Sequence, residues 1–233
     1  MALPTVHIEI VSDVVCPWCV VGFRRLEVAL SRLDGRLEAE VLWQPFELNP
    51  GMPAGGQALA EHVAQKYCAT FDQAGEMWTR LAGIGAEVGF PLDLDPDMRI
   101  YGTFDAHRLL WWAGERDRDG RARDPEAERR GMRGGQTTLA LALFSAYFVE
   151  KRAVDEIDVL VDAAARAGFD GGEARGVLAR GEYVDEVREA ERRWLASGIR
   201  SVPAFVLDGR RLITGAQEVG VFEEQLEQVL GGE

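Results

Sequence analysis

The sequence predicts an α/β fold in which a β-α-β opening and a β-β-α closing flank a large all-helical insertion. Three observations carry this. An alternating, β-branched run at residues 5–11 is followed at once by a helical apolar stripe and a second strand-like run. Near the other end, Asp208-Gly209 sits between two short apolar runs. Between them, more than a hundred residues carry helical periodicity and no convincing strand pattern.

The first element is "TVHIEIV" (5–11), whose alternation and β-branched residues suit a strand. Cys19, Phe23, Leu26, Leu30 and Leu33 then recur at spacings of four, three, four and three, while Arg24, Arg25, Glu27 and Arg32 fall on other faces of the same helix. "LEAEVLWQPF" (37–46) is the second strand, and the length of the connection predicts that it returns parallel to the first. The Pro/Gly-rich stretch 50–56 marks a boundary. Amphipathic helices follow near 57–68, 70–88, 103–115, 135–151, 155–167, 171–179 and 182–197. Residues 114–135 mix both charge signs with glycine and read as a solvated loop or frayed helix end. In "SVPAFVLDGRRLITGAQ" strands return, joined by a two-residue turn at Asp208-Gly209, because a type I′ turn needs positive φ at both central positions. Val221, Phe222, Leu226 and Val229 then close the chain on a helix. The division this implies is a discontinuous domain of residues 1–54 and 182–233 around an insertion of residues 55–181.

At 233 residues the chain can bury a sizeable core without a disulfide or metal to staple it, so stability does not explain its cysteines. A formal net charge of -13 argues against nucleic acid or an anionic membrane surface as partner. No segment approaches 18 uninterrupted apolar residues, and the start lacks the pattern of a secretory signal, so the expected setting is cytoplasmic. In that compartment a close cysteine pair points to redox chemistry or metal binding rather than to a structural disulfide.

The pair is Cys16 and Cys19 in "SDVVCPWC". If the helix begins there, Cys16 takes the N-cap and Pro17 the first helical position, where a missing N–H is harmless. Unpaired backbone N–H groups and the helix dipole favour a thiolate at that end, which is the nucleophile of disulfide exchange. Cys19 lies one turn on, within reach of Cys16, and starts the apolar stripe. The expected division of labour is an exposed Cys16 that attacks and a buried Cys19 that resolves the mixed disulfide. Two rivals stand beside this reading. The pair can be two small buried residues, or half of a zinc site completed from Cys68, His7, His62 and His107, although no second CxxC or close His pair exists. Downstream, Pro203 opens an apparent strand in "GIRSVPAF", and a cis Val202–Pro203 bond would leave the backbone of Val202 free to pair with an extended substrate.

"SDVVCPWC", "YGTFDAHRLLWWA", "LFSAYFVEKRAVDEIDVLVDAAARAGFD" and "GIRSVPAFVLDGRRLITGAQ" together resemble the FrnE-like branch of the DsbA family of thioredoxin-fold oxidoreductases, over about residues 6 to 230. The resemblance implies a thioredoxin-like fold split by a helical insertion, with Cys16 as nucleophile, Cys19 as resolving cysteine and Pro203 as the cis-proline opposite them. Pro17 and Trp18 fill the dipeptide that in such enzymes helps set the redox potential. Hydroxychromene-carboxylate isomerases and kappa-type glutathione transferases are similar in fold but resemble an active-site serine pattern, so Cys16 favours redox chemistry. Gly102 departs from the asparagine that relatives usually carry in the "Y-N-T" segment.

Other residues weigh less. Cys68 reads as a semi-buried lone thiol or a third redox thiol. His107, within a turn of Leu110 and Trp111, reads as a packing histidine or an acid-base group. Asp13 either tunes Cys19 or caps a loop, and Trp111 and Trp112 either fill the core or line a groove. The leading expectation is a thiol-disulfide oxidoreductase, with isomerisation as an added activity. It needs no metal or organic cofactor, and its partners are thiol- or disulfide-bearing proteins or small molecules, with glutathione as a candidate co-substrate. The alternatives are a glutathione-dependent isomerase or transferase acting on a small aromatic or polyketide-like molecule, and a zinc module.

Overall fold

The computed structural model describes residues 3–67, 71–95, 97–118 and 132–232. Cys68 and most of the charged 114–135 segment lie outside them. The opening unit is β1 (Thr5–Ser12), α1 (Pro17–Arg32) and β2 (Glu38–Pro45), with β2 parallel to β1 in a register from Thr5↔Glu38 to Ser12↔Pro45. The closing unit is β6 (Ala204–Leu207), β7 (Arg211–Thr214) and α9 (Val219–Leu230). Between them run α2 (Leu59–Tyr67), α3 (Phe71–Glu87), α4 (Phe104–Arg118), α5 (Gly135–Phe148), α6 (Ile157–Arg166), α7 (Gly171–Ala179) and α8 (Val184–Ala196).

The helical block also contains strands, contrary to the sequence expectation. β3 (Gln57–Ala58) pairs antiparallel with β4 (Arg99–Ile100), and β5 (Met132–Arg133) runs parallel to β2, so the main sheet has the order β5-β2-β1-β6-β7. Two-residue strands show no period of their own; their partners create them. Where β5 ends, the side chain of Gln136 takes over the β2 edge. Its Oε1 accepts from Trp43 N at 2.9 Å and its Nε2 donates to the Trp43 and Leu110 carbonyls at 3.1 and 2.9 Å. The closing hairpin also differs by one residue. Asp208 and Gly209 both have positive φ, at 48° and 65°, but the last paired residues are Leu207 and Arg211, leaving three between them.

Ile10 of β1 pairs with Phe205 of β6, which places both on one face of the sheet. α1 and α9 cover that face. Phe205 meets Phe222 of α9 edge-on at 4.9 Å, and a Cβ on Gly22 of α1 would lie 3.0 Å from the Phe205 ring, so glycine permits the close approach of α1. Trp43 joins α1 to α5 by packing on Phe23 at 5.0 Å and Phe144 at 5.8 Å, and its Nε1 donates to Thr137 Oγ1. Each such aromatic, buried fully, contributes about 1.5–3 kcal/mol. On the other face Val11 and Ala204, a cross-strand pair, pack with Trp194 of α8 and Ile199. Because β6 is antiparallel to β1, its first residue lies beside the last turn before α1. The topology therefore carries residues 201–203 to the cysteines.

Candidate active site

Cys16 is the N-cap of α1, with extended backbone (φ −93°, ψ 111°), and Pro17 starts the helix. The backbone explains the position: Cys16 N donates to Asp13 O at 3.0 Å, closing a turn after β1, and Cys19 N donates to Cys16 O at 3.1 Å, opening the helix. Both cysteines are free thiols. Cys16 Sγ faces the Val202 carbonyl oxygen at 3.8 Å, across 186 residues of sequence, and the Val202–Pro203 bond is cis. Trp18 is 38% exposed at the rim.

Cys16 itself is only 4% exposed, which corrects the expectation of an open nucleophile, while Cys19 is fully buried as the apolar stripe requires. Val202, 186 residues away, contributes to this cover, and no local pattern around residue 16 could reveal that. Burial, then the hydrogen bond and charge of Cys16, push the Cys19 thiol well above its ordinary range. A hydrogen bond from the Asp13 backbone opposes this and the Asp13 carboxylate reinforces it.

Of the two roles raised by the sequence, the loop cap is the one Asp13 fills by direct bonds, and its charge is the smallest of the influences on Cys19. Its buried carboxylate accepts from Leu48 N at 2.7 Å and Val15 N at 3.4 Å, holding the loop after β2 against the loop before α1, and its charge acts on Cys19. His107 of α4 is equally buried, with Nε2 3.7 Å from Asp13 Oδ1 and no hydrogen bond at that nitrogen. Burial pulls the His107 imidazole down in pKa, but Asp13, Glu191 and Glu47 outweigh it and the net direction is up. Arg188 of α8 pairs with Glu47, and with Glu191 at 2.8 Å, while lying 3.7 Å over the Phe104 ring. This second layer of charge escaped the sequence reading. Its members lie on separate elements, and only the Arg188–Glu191 spacing of three marked them as neighbours.

A cavity of about 280 Å³ adjoins Cys16, Pro17, Trp18 and Val202 and runs between α2, α3 and α5. Its tryptophans are Trp18 and Trp78; Trp112 is buried against Phe169 at 5.0 Å, away from this cavity, and borders a separate hollow beside Glu115, Arg116 and Glu173. Leu59 and Val63 come from the first of the expected amphipathic helices and Trp78 and Leu81 from the second, and nothing in either segment marks them as walls of one space. A larger hollow of about 510 Å³ lies at the opposite end of β1, beside His7, Glu40 and Arg118. Among the described residues no three His, Cys, Asp or Glu side chains gather as a metal cluster, and no helix is long and apolar enough to cross a membrane.

Residues 7–227 match the DSBA-like thioredoxin domain. The crystal structure of a probable DsbA oxidoreductase from Streptomyces coelicolor shares this architecture with a TM-score of 0.81 at 34% identity, covering 98% of this chain and 91% of that one. The cytosolic disulfide reductase DsbM from Pseudomonas aeruginosa shares the fold at 17% identity, with a TM-score of 0.63 over 97% of this chain and all 100% of that one. An uncharacterized protein of Bacillus subtilis, YwbO, is 28% identical over 228 residues, 95% of this chain and 96% of its own length.

Proposed function

The chain belongs to the DSBA-like thioredoxin domain family, and on that premise we propose that it is a thiol-disulfide oxidoreductase of the FrnE-like branch, working through Cys16 and Cys19. The observation that carries this reading is the placement of Cys16: it sits at the N-cap position of α1, faces the Val202 carbonyl, and has the buried Cys19 one turn behind it. The reduced pair acts in two steps. Cys16 thiolate attacks a substrate disulfide, the S–S bond breaks, and the departing sulfur leaves as a thiolate that takes up a proton. Cys19 then loses its proton and attacks Cys16 Sγ, releasing the second substrate thiol and leaving a Cys16–Cys19 disulfide. Pro17 fixes the start of the helix and Trp18 the rim, Pro203 directs the Val202 carbonyl to the site, and no metal or organic cofactor enters either step.

The reading places the protein in the cytoplasm, where glutathione returns the pair to the dithiol and the substrate is a disulfide- or thiol-bearing molecule. Equilibration across a glutathione series, with free thiols counted, tests it. The expected result is one two-electron transition, lost in Cys16→Ala together with all exchange activity. A midpoint near about −270 mV marks a reductase and one near about −120 to −180 mV an oxidant or isomerase. Full activity in Cys16→Ala, or no intramolecular disulfide at any poise, overturns the reading.

A further inference from the structure

Cys16 is only 4% exposed, so the approach to its sulfur is narrow. A cavity of about 280 Å³ adjoins the cysteine, and among the described residues its inner lining is mostly apolar. Leu59, Val63, Trp78, Leu81, Ile100 and Phe148 form its walls, all of them buried. Several described polar groups on its border already serve the protein: Lys66 Nζ donates to Asn49 Oδ1 at 2.8 Å and to Leu48 O at 3.2 Å, Tyr147 OH donates to Arg99 O at 3.0 Å, and His62 Nδ1 meets Gln57 Oε1 at 3.0 Å, while Ser201 is exposed at the rim. An apolar cavity of about 150 Å³ holds a benzene ring, so this one has room for a ring on a short alkyl linker. A chain bearing several peptide bonds and charges would bring polar groups that these walls leave unpaired.

We propose that this cavity seats the uncharged apolar arm of a low-molecular-weight disulfide, one built from an aralkyl or branched-alkyl thiol, with its S–S bond against Cys16 Sγ. The proposal rests on the redox reading of Cys16 and names the substrate class for it. Cys16 thiolate attacks the sulfur that carries the seated arm; the S–S bond breaks, and the other half leaves as a thiolate and is protonated by water. The arm stays in the cavity as a mixed disulfide until Cys19, having given up its proton, attacks Cys16 Sγ and expels the second thiolate. The substrate gains two electrons and becomes two thiols, the cysteine pair becomes a disulfide, and two molecules of a small uncharged thiol restore it while forming the corresponding disulfide.

The test is single-turnover reduction, followed by tryptophan fluorescence, of 2-phenylethyl 2-hydroxyethyl disulfide, bis(2-hydroxyethyl) disulfide, glutathione disulfide and a short disulfide-linked peptide carrying an aromatic residue beside its cysteine. The phenylethyl compound should react at least about tenfold faster than the other three, the scale on which an apolar pocket discriminates. Val63→Trp, which fills the cavity, should shrink that ratio to within about threefold of one. Independently of that variant's folding, the non-reactive thioether analogue of the phenylethyl compound should compete with it in the wild-type protein. Equal rates across the disulfides, faster reaction of glutathione disulfide or the peptide, or failure of the thioether to compete overturns the cavity assignment while leaving the redox reading intact. If no disulfide reacts at all, the redox reading falls and takes this substrate class with it.

Discussion

The charges beneath the cysteines and the charges on the outer helices are made of the same side chains, but their contact distances mislead about their weight. Arg175 of α7 and Asp158 of α6 meet at 2.5 Å, with side chains 52% and 83% exposed. Asp13 and His107 stand 3.7 Å apart, with side chains 1% and 2% exposed. Water screens the first pair and competes for both partners, whereas the second has only protein around it. The longer contact therefore matters more, and burial rather than distance ranks the ion pairs of this fold.

The strongest way to break that ranking is Asp13→Ala. It strips Leu48 N–H of its acceptor and leaves His107 without its nearest counter-charge, so denaturant titration should show a loss on the order of 3 kcal/mol. Asp13→Asn keeps an oxygen for Leu48 and should recover part of that loss. A loss below about 1 kcal/mol for the alanine variant would place the interior pair on a level with surface pairs.

A smaller effect, with a definite sign, comes from His107. Its folded-state pKa is raised, because Asp13, Glu191 and Glu47 outweigh the opposing effect of burial. Protonation thus stabilises the folded chain fully below the unfolded value of about 6.5, and that contribution disappears as pH rises through the folded value. The stability gap between wild type and His107→Gln should accordingly be more favourable to wild type at about pH 5.5 than at about pH 9. A gap that grows with pH would mean that burial dominates this histidine. The smallest effect is expected for Arg175→Ala, below about 1 kcal/mol and shrinking further in salt.

Much of the frame was legible because local patterns suffice for it. The stripe from Cys19 to Leu33 fixes which face of α1 is buried, the alternation of β1 fixes which residues meet α1, and Asp208-Gly209 fixes where the hairpin turns. The rest depends on segments far apart in sequence. β3, β4 and β5 are two residues each and exist only through their partners. The near-burial of Cys16 and the cavity beside it need Leu48, α2, α3, α5 and Val202 at once. Asp13 showed its type and its nearness to the cysteines, but its bond to Leu48 N–H crosses from one loop to another, which no periodicity records.

The pairing of β1 with β6 has a consequence for biosynthesis. Cys16 and the carbonyl that faces it are separated by 186 residues, which translation at about 5–20 residues per second spreads over roughly ten to forty seconds. Throughout that interval β1 has an open edge where β6 will later add, and the cysteine pair is a nascent-chain dithiol without its final cover. The two cysteines are thus synthesised well before the strand whose start comes to lie beside them.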